Sequence, residues 1–368
     1  IRDRYLKFPR KDLVGFYKVL TRRVNEYFKS NQIKKTGNYK LHIKAFIMIA
    51  LLALPYTLIL TLEMPGWLQL MLCVIAGIGM AGIGMNVMHD GNHGSYSSLP
   101  WVNNIMGSTI YFLAGNADNW KVQHNFLHHT FTNIHGHDED LEANGILRFS
   151  NHQPWRPIHR FQHLYSVLLY GLLTLNWAVV SDFSQMRRYL RDHKSVAQTK
   201  SPKILWTKLV ISKILYFAGW LVVPYLILGI AFWKILIGFF VMHYTAGLIL
   251  SLIFQLAHVL EDTDMPIPKP ETREMKNTWA IHQLYTTANF SPKNILVNWY
   301  VGGLNFQIEH HIFPHISHVH YRKIASIIKS TAKEFNLPYN EFKTTRSALL
   351  SHFKFLKRMG INPGTLTI

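Results

Sequence analysis

Four long runs of apolar residues limit what this chain can fold into more than any other feature of its sequence. They cover residues 43–62, 66–88, 206–230 and 235–257. About 20 apolar residues in a helix cross the ~30 Å hydrocarbon core of a bilayer, so each run predicts a transmembrane helix. The connectors EMPG and AFWK are short. The runs are therefore expected to form two helical hairpins.

The distribution of basic residues predicts the orientation of these spans. Residues 1–40 contain twelve Lys and Arg, residues 183–203 contain six more, and the connector at 63–67 contains none. Because Lys and Arg accumulate on the cytoplasmic side, both termini and the region between the hairpins are expected there. We predict an all-α, multi-pass integral membrane protein with four spans, interfacial helices and a cytosolic helical cap. Its expected segments are a basic cytosolic N-terminal segment at 1–40, a membrane domain at 41–340 and a cytosolic tail at 341–368.

The composition excludes several classes of site. The formal charge of +19 suits anionic lipid or phosphate groups. The chain lacks the aromatic and basic strand pattern of an RNA-binding module, so no nucleic-acid partner is expected. Its one cysteine, Cys73, cannot form a disulfide framework or a thiolate cluster. Any metal must therefore be held by imidazole and oxygen.

Histidines cluster at or just beyond the predicted cytoplasmic ends of the spans. The clusters read HDGNH, QHNFLHH and QIEHH, and a further histidine ends the fourth span in FQLAHV. Spacings of three and four residues place side chains on one helix face. Imidazole suits iron, zinc, copper and nickel, and eight imidazoles are enough for two metal ions. The candidate ligands are His89, His93, His124, His128, His129, His258, His310 and His311, with Gln307 as a possible ninth.

Four polar side chains are candidates to support this centre. Asp90, Asp138 and Glu309 are expected to accept ring N–H hydrogen bonds and so to fix the imidazole tautomers. His282 is a further candidate for a supporting role.

The three clusters resemble the histidine boxes of the membrane fatty acid desaturase family. HHTFTNIHGHDED and GGLNFQIEHHIFP resemble the same family, and the match covers about residues 40–340. Gln307, in place of the first histidine of the third box, resembles the front-end desaturases, which act between an existing double bond and the carboxyl end. Phe254 stands where stearoyl-type relatives place an asparagine near a metal-bound water.

The resemblance implies a dioxygen-dependent enzyme that inserts a cis double bond into a fatty acyl chain. It implies a non-haem centre of two iron ions, dioxygen as co-substrate and a separate electron donor, either a cytochrome b-type protein or ferredoxin. The acyl chain would be carried on coenzyme A or on a membrane lipid. A hydroxylase with the same centre is the alternative. A metal transporter is disfavoured, because transporters hold their ligands near the membrane midplane.

Residues 164–182 form an apolar run that also contains Asn176, Trp177 and Asp182. Hydropathy alone allows either a span or a membrane-surface helix. If the run crossed the bilayer, the second and third boxes would lie on opposite sides, and no common metal centre could form. We therefore expect an interfacial helix, or a segment that dips into the bilayer and returns.

Two further histidines serve as expected controls. No helical spacing connects His152 or His352 with a box, so alanine at either position is expected to leave desaturation nearly unchanged.

Overall fold

The computed structural model describes residues 6–10, 12, 14–141, 145–192 and 201–363, and these residues are mostly helical. Parts of the basic segment 1–40, part of the tail 341–368, and the basic residues Lys194 and Lys200 lie outside the described residues. Contacts divide the chain into two compact units. Unit 1 comprises Ile1–Gly37, Gln123–Ser166 and Ile253–Ile368, and unit 2 comprises Asn38–Val122 and Val167–Leu252.

All four apolar runs are helical, and among the described residues four helices are long and apolar enough to cross a membrane. Each begins within about four residues of the predicted start. The main helices are α1 Phe16–Ser30, α2 Tyr39–Thr61, α3 Gly66–Asn92, α4 Pro100–Ser108, α5 Pro157–Tyr170, α6 Leu173–Arg191, α7 Pro202–Leu228, α8 Phe232–His258, α9 Trp279–Thr286, α10 Ile295–Tyr300, α11 Gln307–Ile312, α12 Tyr321–Glu334 and α13 Thr345–Met359.

Within unit 2, glycines allow α2 and α3 to approach closely. A Cβ atom added at Gly79 would lie 2.5 Å from the backbone of Leu51, and one at Gly82 would lie 2.2 Å from the Met48 sulfur. Small residues let helix backbones pack tightly where lipid supplies no hydrophobic driving force. The glycine-rich sequence of the second run therefore has a direct packing role.

The run at 164–182, expected to be an interfacial helix or a segment that dips into the bilayer and returns, is divided between two helices. Helices α5 and α6 meet at a bend of 70°. A Cβ atom at Gly171 would lie 2.3 Å from the Tyr244 ring, and one at Gly247 would lie 2.5 Å from the Gly171 carbonyl oxygen. The chain bends where close contact with α8 leaves no room for a side chain, which composition could not reveal.

Unit 1 is built around short helices that hold the third histidine box. Leu20 of α1, Leu284 of α9, Ile308 of α11 and Ile324 of α12 are fully buried in one apolar cluster. Two short strands, β1 Asn289–Phe290 and β2 Glu341–Phe342, pair in parallel. Strand β2 ends shortly before α13 begins. This packing fixes α11 from several sides.

Candidate metal centre

The first histidine box lies at the end of α3 in unit 2. His89 follows a π-helical stretch, Gly84–Met88, and its ring centroid is 4.7 Å from that of His93. π-Helical insertions are frequent at functional sites. The Trp120 ring lies 5.6 Å from both imidazoles. A Cβ atom at Gly91 would lie 2.4 Å from the Gly107 backbone nitrogen, so glycine in HDGNH lets α4 pack against the box.

The second box is also π-helical, over Lys121–His128. In unit 1, the His124 and His128 rings are stacked with centroids 5.2 Å apart. His124 Nδ1 lies 2.9 Å from an Asp140 carboxylate oxygen, and His128 Nδ1 lies 2.9 Å from Asp138. Since a carboxylate only accepts, each Nδ1 carries the proton and donates it, and each Nε2 keeps its lone pair.

Three further rings of unit 1, those of His258, His310 and His311, also have a polar group at Nδ1. His311 Nδ1 donates to the Gln283 amide oxygen at 2.9 Å. His258, at the end of α8, has its Nδ1 3.4 Å from the Thr286 carbonyl oxygen. His310 Nδ1 lies 3.1 Å from the Tyr321 hydroxyl.

The Nε2 atoms of His128, His258 and His311 converge in a buried pocket. They lie within 4.8 Å of one another. All three are buried and have no hydrogen-bond partner among the described residues. A buried ring nitrogen without a hydrogen-bond partner costs free energy unless a ligand such as a metal ion binds it. His129, His310 and His311 form a second group of converging ring nitrogens, with the same limit of 4.8 Å.

The electrostatics of the pocket favour metal binding. Burial, together with the neighbouring histidines, holds the pKa of His311 well below its usual value. At His128, burial lowers the pKa, but the Asp138 and Asp140 carboxylates together raise it above its usual value. Neutral imidazole is the form that binds a metal, and a carboxylate behind Nδ1 makes Nε2 a stronger donor. The donor set therefore fits metal ions such as iron or zinc.

Gln307 and Phe254 lie close to the same pocket. Gln307 begins α11, is buried, and has its side chain beside the His258 ring. The Phe254 ring centroid lies 5.1 Å from that of His128 and 4.9 Å from that of His258. An apolar ring therefore covers one side of the converging imidazoles.

The four supporting residues are placed differently. Asp138 accepts from His128, as described. His282 Nε2–H donates to the Thr132 carbonyl oxygen at 2.8 Å, and burial lowers the His282 pKa to about 4. Asp90 is buried in α3, near enough to Lys44 to interact electrostatically.

The expectation that Glu309 accepts a hydrogen bond from a ring N–H was wrong. Its carboxylate accepts from Asn289 Nδ2 at 2.7 Å and from the Tyr339 hydroxyl at 2.9 Å. Burial raises its pKa to about 7. Adjacent residues on a helix point in different directions, so Glu309 faces away from the pocket that His310 and His311 line.

Three residues that hold rings were missed in the sequence. Asp140 lies two residues after Asp138 in HGHDED, and this acidic pattern was the available signal. Gln283 and Tyr321 carry no comparable signal, because they are ordinary residues on helices α9 and α12 that packing brings to the box.

Known proteins are similar in sequence to this chain over most of its length. A family model described as fatty acid desaturase matches residues 65–343. An sn-1 linoleoyl-lipid 6-desaturase from Arthrospira platensis is 36% identical over 96% of this chain and 95% of its own length. One of the same description from Synechocystis sp. is 34% identical, over 96% and 98%. An acyl-lipid (8-3)-desaturase from Physcomitrium patens is 32% identical, over 97% and 74%.

Proposed function

The chain belongs to the fatty acid desaturase family, and from this premise we propose that it is a front-end acyl-lipid desaturase with a dioxygen-dependent di-iron centre. The observation that carries the proposal is the convergence of three buried Nε2 atoms, on His128, His258 and His311, for which the described residues provide no hydrogen-bond partner. As an oxidoreductase of this family, the enzyme converts saturated bonds of acyl chains to double bonds.

The proposed ligands combine the unit 1 pocket with the first box. The six histidines in unit 1 are His124, His128, His129, His258, His310 and His311. Gln307 is a weaker ligand and the ninth of the complete set. His89 and His93 complete the set on the basis of their i, i+4 spacing and the family resemblance. Bound iron, with dioxygen, would supply the oxidising power to remove hydrogen from unactivated methylenes, which side chains alone lack.

The residues of the chain have three tasks in this reaction. The acceptors behind Nδ1, such as Asp138 and Gln283, hold each ring in the tautomer that leaves Nε2 free to bind. Phe254 and the surrounding buried residues exclude water from the pocket, which limits unproductive oxidation. Two electrons per turnover come from a separate carrier, a cytochrome b-type protein or ferredoxin.

The names of the relatives support the proposed substrate class. All three names describe a lipid-linked acyl chain, but two describe a 6-desaturase and the third an (8-3)-desaturase. The proposal therefore specifies a membrane lipid substrate and front-end insertion, as QIEHH suggests, without fixing the position. No observation favours the alternative hydroxylase or a metal transporter.

The proposed topology has two helical hairpins, with both termini and the metal centre on the cytoplasmic side. Four candidate spans and the basic residues at 1–40 and 183–203 support it. The bend between α5 and α6 supports a segment that enters the bilayer and returns, which keeps the second and third boxes on one side.

Lipid profiling of a host that lacks the product tests this function. Cells that express the chain should accumulate a cis-unsaturated acyl chain on a membrane lipid, with no hydroxylated product. Cells that express His128→Ala at equal membrane abundance should not, and the exposed His152→Ala should behave as the unmodified chain. A hydroxy acyl product would replace this proposal with the hydroxylase.

A further inference from the structure

Two consecutive residues that follow the second histidine box, Thr132 and Asn133, are both buried. The short helix His129–Phe131 ends at this point, and Asn133 has a φ of +60°. This left-handed conformation is uncommon for residues other than glycine, and asparagine is one of the few that adopt it. The chain therefore makes a defined turn directly beside the converging imidazoles.

The Asn133 side chain joins the end of α8 to the end of α9. Its Nδ2 atom lies 2.9 Å from the His258 carbonyl oxygen, 3.0 Å from that of Asp264 and 3.2 Å from that of Thr286. Because carbonyl oxygens only accept, this end of the side chain is the amide NH₂ group. The Thr286 carbonyl oxygen also faces His258 Nδ1, at 3.4 Å. Asn133 thus contacts both the backbone of His258 and the acceptor behind its ring.

The backbone of Asn133 contacts the acceptor behind a second ring. Its N–H donates to Asp138 Oδ2 at 2.9 Å, and the same oxygen accepts from His128 Nδ1 at 2.9 Å. The His128 and His258 ring centroids are 4.7 Å apart. A single residue therefore connects the acceptors of two converging imidazoles, through its backbone at one and its side chain at the other.

Thr132 makes the corresponding contact behind the third ring. Its hydroxyl oxygen lies 2.9 Å from Gln283 Oε1, which accepts from His311 Nδ1–H, and 3.3 Å from His311 Nδ1 itself. The same hydroxyl lies 2.7 Å from the His128 carbonyl oxygen. Thr132 and Asn133 together contact the acceptors behind all three rings whose Nε2 atoms converge, although these rings belong to three separate segments of the chain.

We propose that Thr132 and Asn133 form one positioning element that fixes the three converging imidazoles relative to one another. This rests on the proposed function, since the relative orientation of the rings matters for the metal that they bind. The shared contacts join three separate acceptors into one unit, so the ring nitrogens are directed to one point before a metal arrives. Ligands that are oriented in advance by hydrogen bonds bind a metal more tightly. Neither residue contacts the reacting atoms.

Two substitutions test this positioning element. Asn133→Gly keeps the left-handed conformation and the N–H that donates to Asp138 but removes the amide, and Thr132→Val removes the hydroxyl at nearly the same shape. In each purified variant, the zinc affinity measured by competition with a chelator should fall about 10- to 100-fold. Turnover should fall with it, while the KM for the acyl lipid should not change. The control is Asn336→Gly, at an exposed asparagine with a φ of +52°, which should alter none of these quantities.

Double-mutant cycles distinguish positioning from packing. If Asn133 acts through His258, Asn133→Gly should cost little further zinc affinity in a chain that already carries His258→Ala. Its full effect should persist beside His311→Ala. Thr132→Val should show the reverse pattern, because its hydroxyl contacts the acceptor behind His311. Residues with only a packing role would have additive effects in all four cycles, and that result would overturn the proposal.

The zinc measurements also separate this proposal from the proposed function. The predicted affinities in a chain that does not desaturate lipids would contradict the proposed function and leave the positioning role in place. Unmodified zinc affinity in both single variants would overturn the positioning role, whether or not the chain desaturates. Thermal unfolding of the metal-free proteins verifies that each variant folds. If Asn133→Gly shows no cooperative transition, Asn133→Asp, which keeps the shape but replaces the donor, is used with the same expected loss.

Discussion

His128 of unit 1 and His243 of unit 2 are both fully buried imidazoles, but their ring nitrogens are used differently. In unit 2, the Thr174 hydroxyl donates its only proton to the His243 carbonyl oxygen. Its contact with His243 Nδ1, at 2.8 Å, is therefore one in which the hydroxyl oxygen accepts from Nδ1–H. His243 Nε2 then accepts from the Tyr216 hydroxyl at 2.7 Å. In unit 1, His128 has a hydrogen-bond partner at Nδ1 but, within the part of the chain that the structure describes, none at Nε2. Burial alone therefore does not identify a metal ligand, whereas the convergence of several buried ring nitrogens without hydrogen-bond partners indicates one.

The buried charges of unit 2 follow the same rule as His243. The Lys213 ammonium donates to the carbonyl oxygens of Ala114 and Trp177 and to the Asp182 carboxylate. Its three donors match three acceptors, and Asn119 also donates to Asp182. This network is complete without a ligand, so its role is to connect α6, α7 and the loop around Ala114.

The largest predicted effect lies in the unit 1 pocket. His128→Ala or His311→Ala should reduce desaturation below detection and lower the iron content of the purified protein, because each removes a converging Nε2. Product per chain and iron per chain are the measurements, with His152→Ala as control. Either variant with unmodified turnover would remove that residue from the centre.

The corresponding test in unit 2 measures stability. Lys213→Met leaves Asp182 buried without its cation, which should cost about 3–5 kcal/mol. Lys208→Met breaks an ion pair whose lysine is 43% exposed, so it should cost about 0–1 kcal/mol. Thermal unfolding of the purified proteins should show a large shift for the first variant and a small one for the second. Equal shifts would contradict the distinction between buried and exposed pairs.

The sequence predicts those parts of the molecule that depend on local pattern. Apolar runs located the spans, and helical spacing located the boxes. The contacts that complete the centre join residues far apart in the chain, as with His311 and Gln283, which are 28 positions apart. No local pattern encodes such a pair, and none predicted the bend at Gly171, which depends on Tyr244.

His352 was expected from the sequence to be a neutral control, and its surroundings in the structure argue against that use. It resembles His152 in sequence, yet it is fully buried, and its Nδ1 donates to the Val259 carbonyl oxygen at 2.8 Å. Replacing it with alanine would remove a packed, hydrogen-bonded side chain next to the segment that follows His258. Only His152, which is exposed, remains a suitable control.

Asp138→Asn tests whether the charge behind an imidazole contributes to the centre. Asparagine still offers an oxygen to His128 Nδ1–H but removes the carboxylate charge, so metal affinity should fall about 10- to 100-fold. Competition with a chelator gives the affinity. Asp262→Asn, on the surface, should have no effect. An unchanged affinity at Asp138 would limit this residue to a packing role.

Substitutions at Gln307 test whether its side chain binds the metal or only lies near it. A neutral amide oxygen binds metal more weakly than imidazole, so Gln307→Ala should reduce turnover only several-fold, corresponding to roughly 1 kcal/mol. Gln307→His restores a ligand and should be tolerated better. Equal, full activity in both variants would show that the side chain binds no metal.

A substitution beside His243 gives the most direct test of the comparison. Tyr216→Phe removes the donor to His243 Nε2 and so creates in unit 2 a buried nitrogen like those of unit 1. Stability should fall by about 1–3 kcal/mol, because the nitrogen loses its partner. The iron content should not change, since no other described histidine converges on His243. Tyr225→Phe, at an exposed tyrosine, provides the control for unfolding. If Tyr216→Phe instead bound additional metal, a single orphan nitrogen would be enough to recruit an ion. The convergence of several nitrogens in unit 1 would then no longer explain its selectivity.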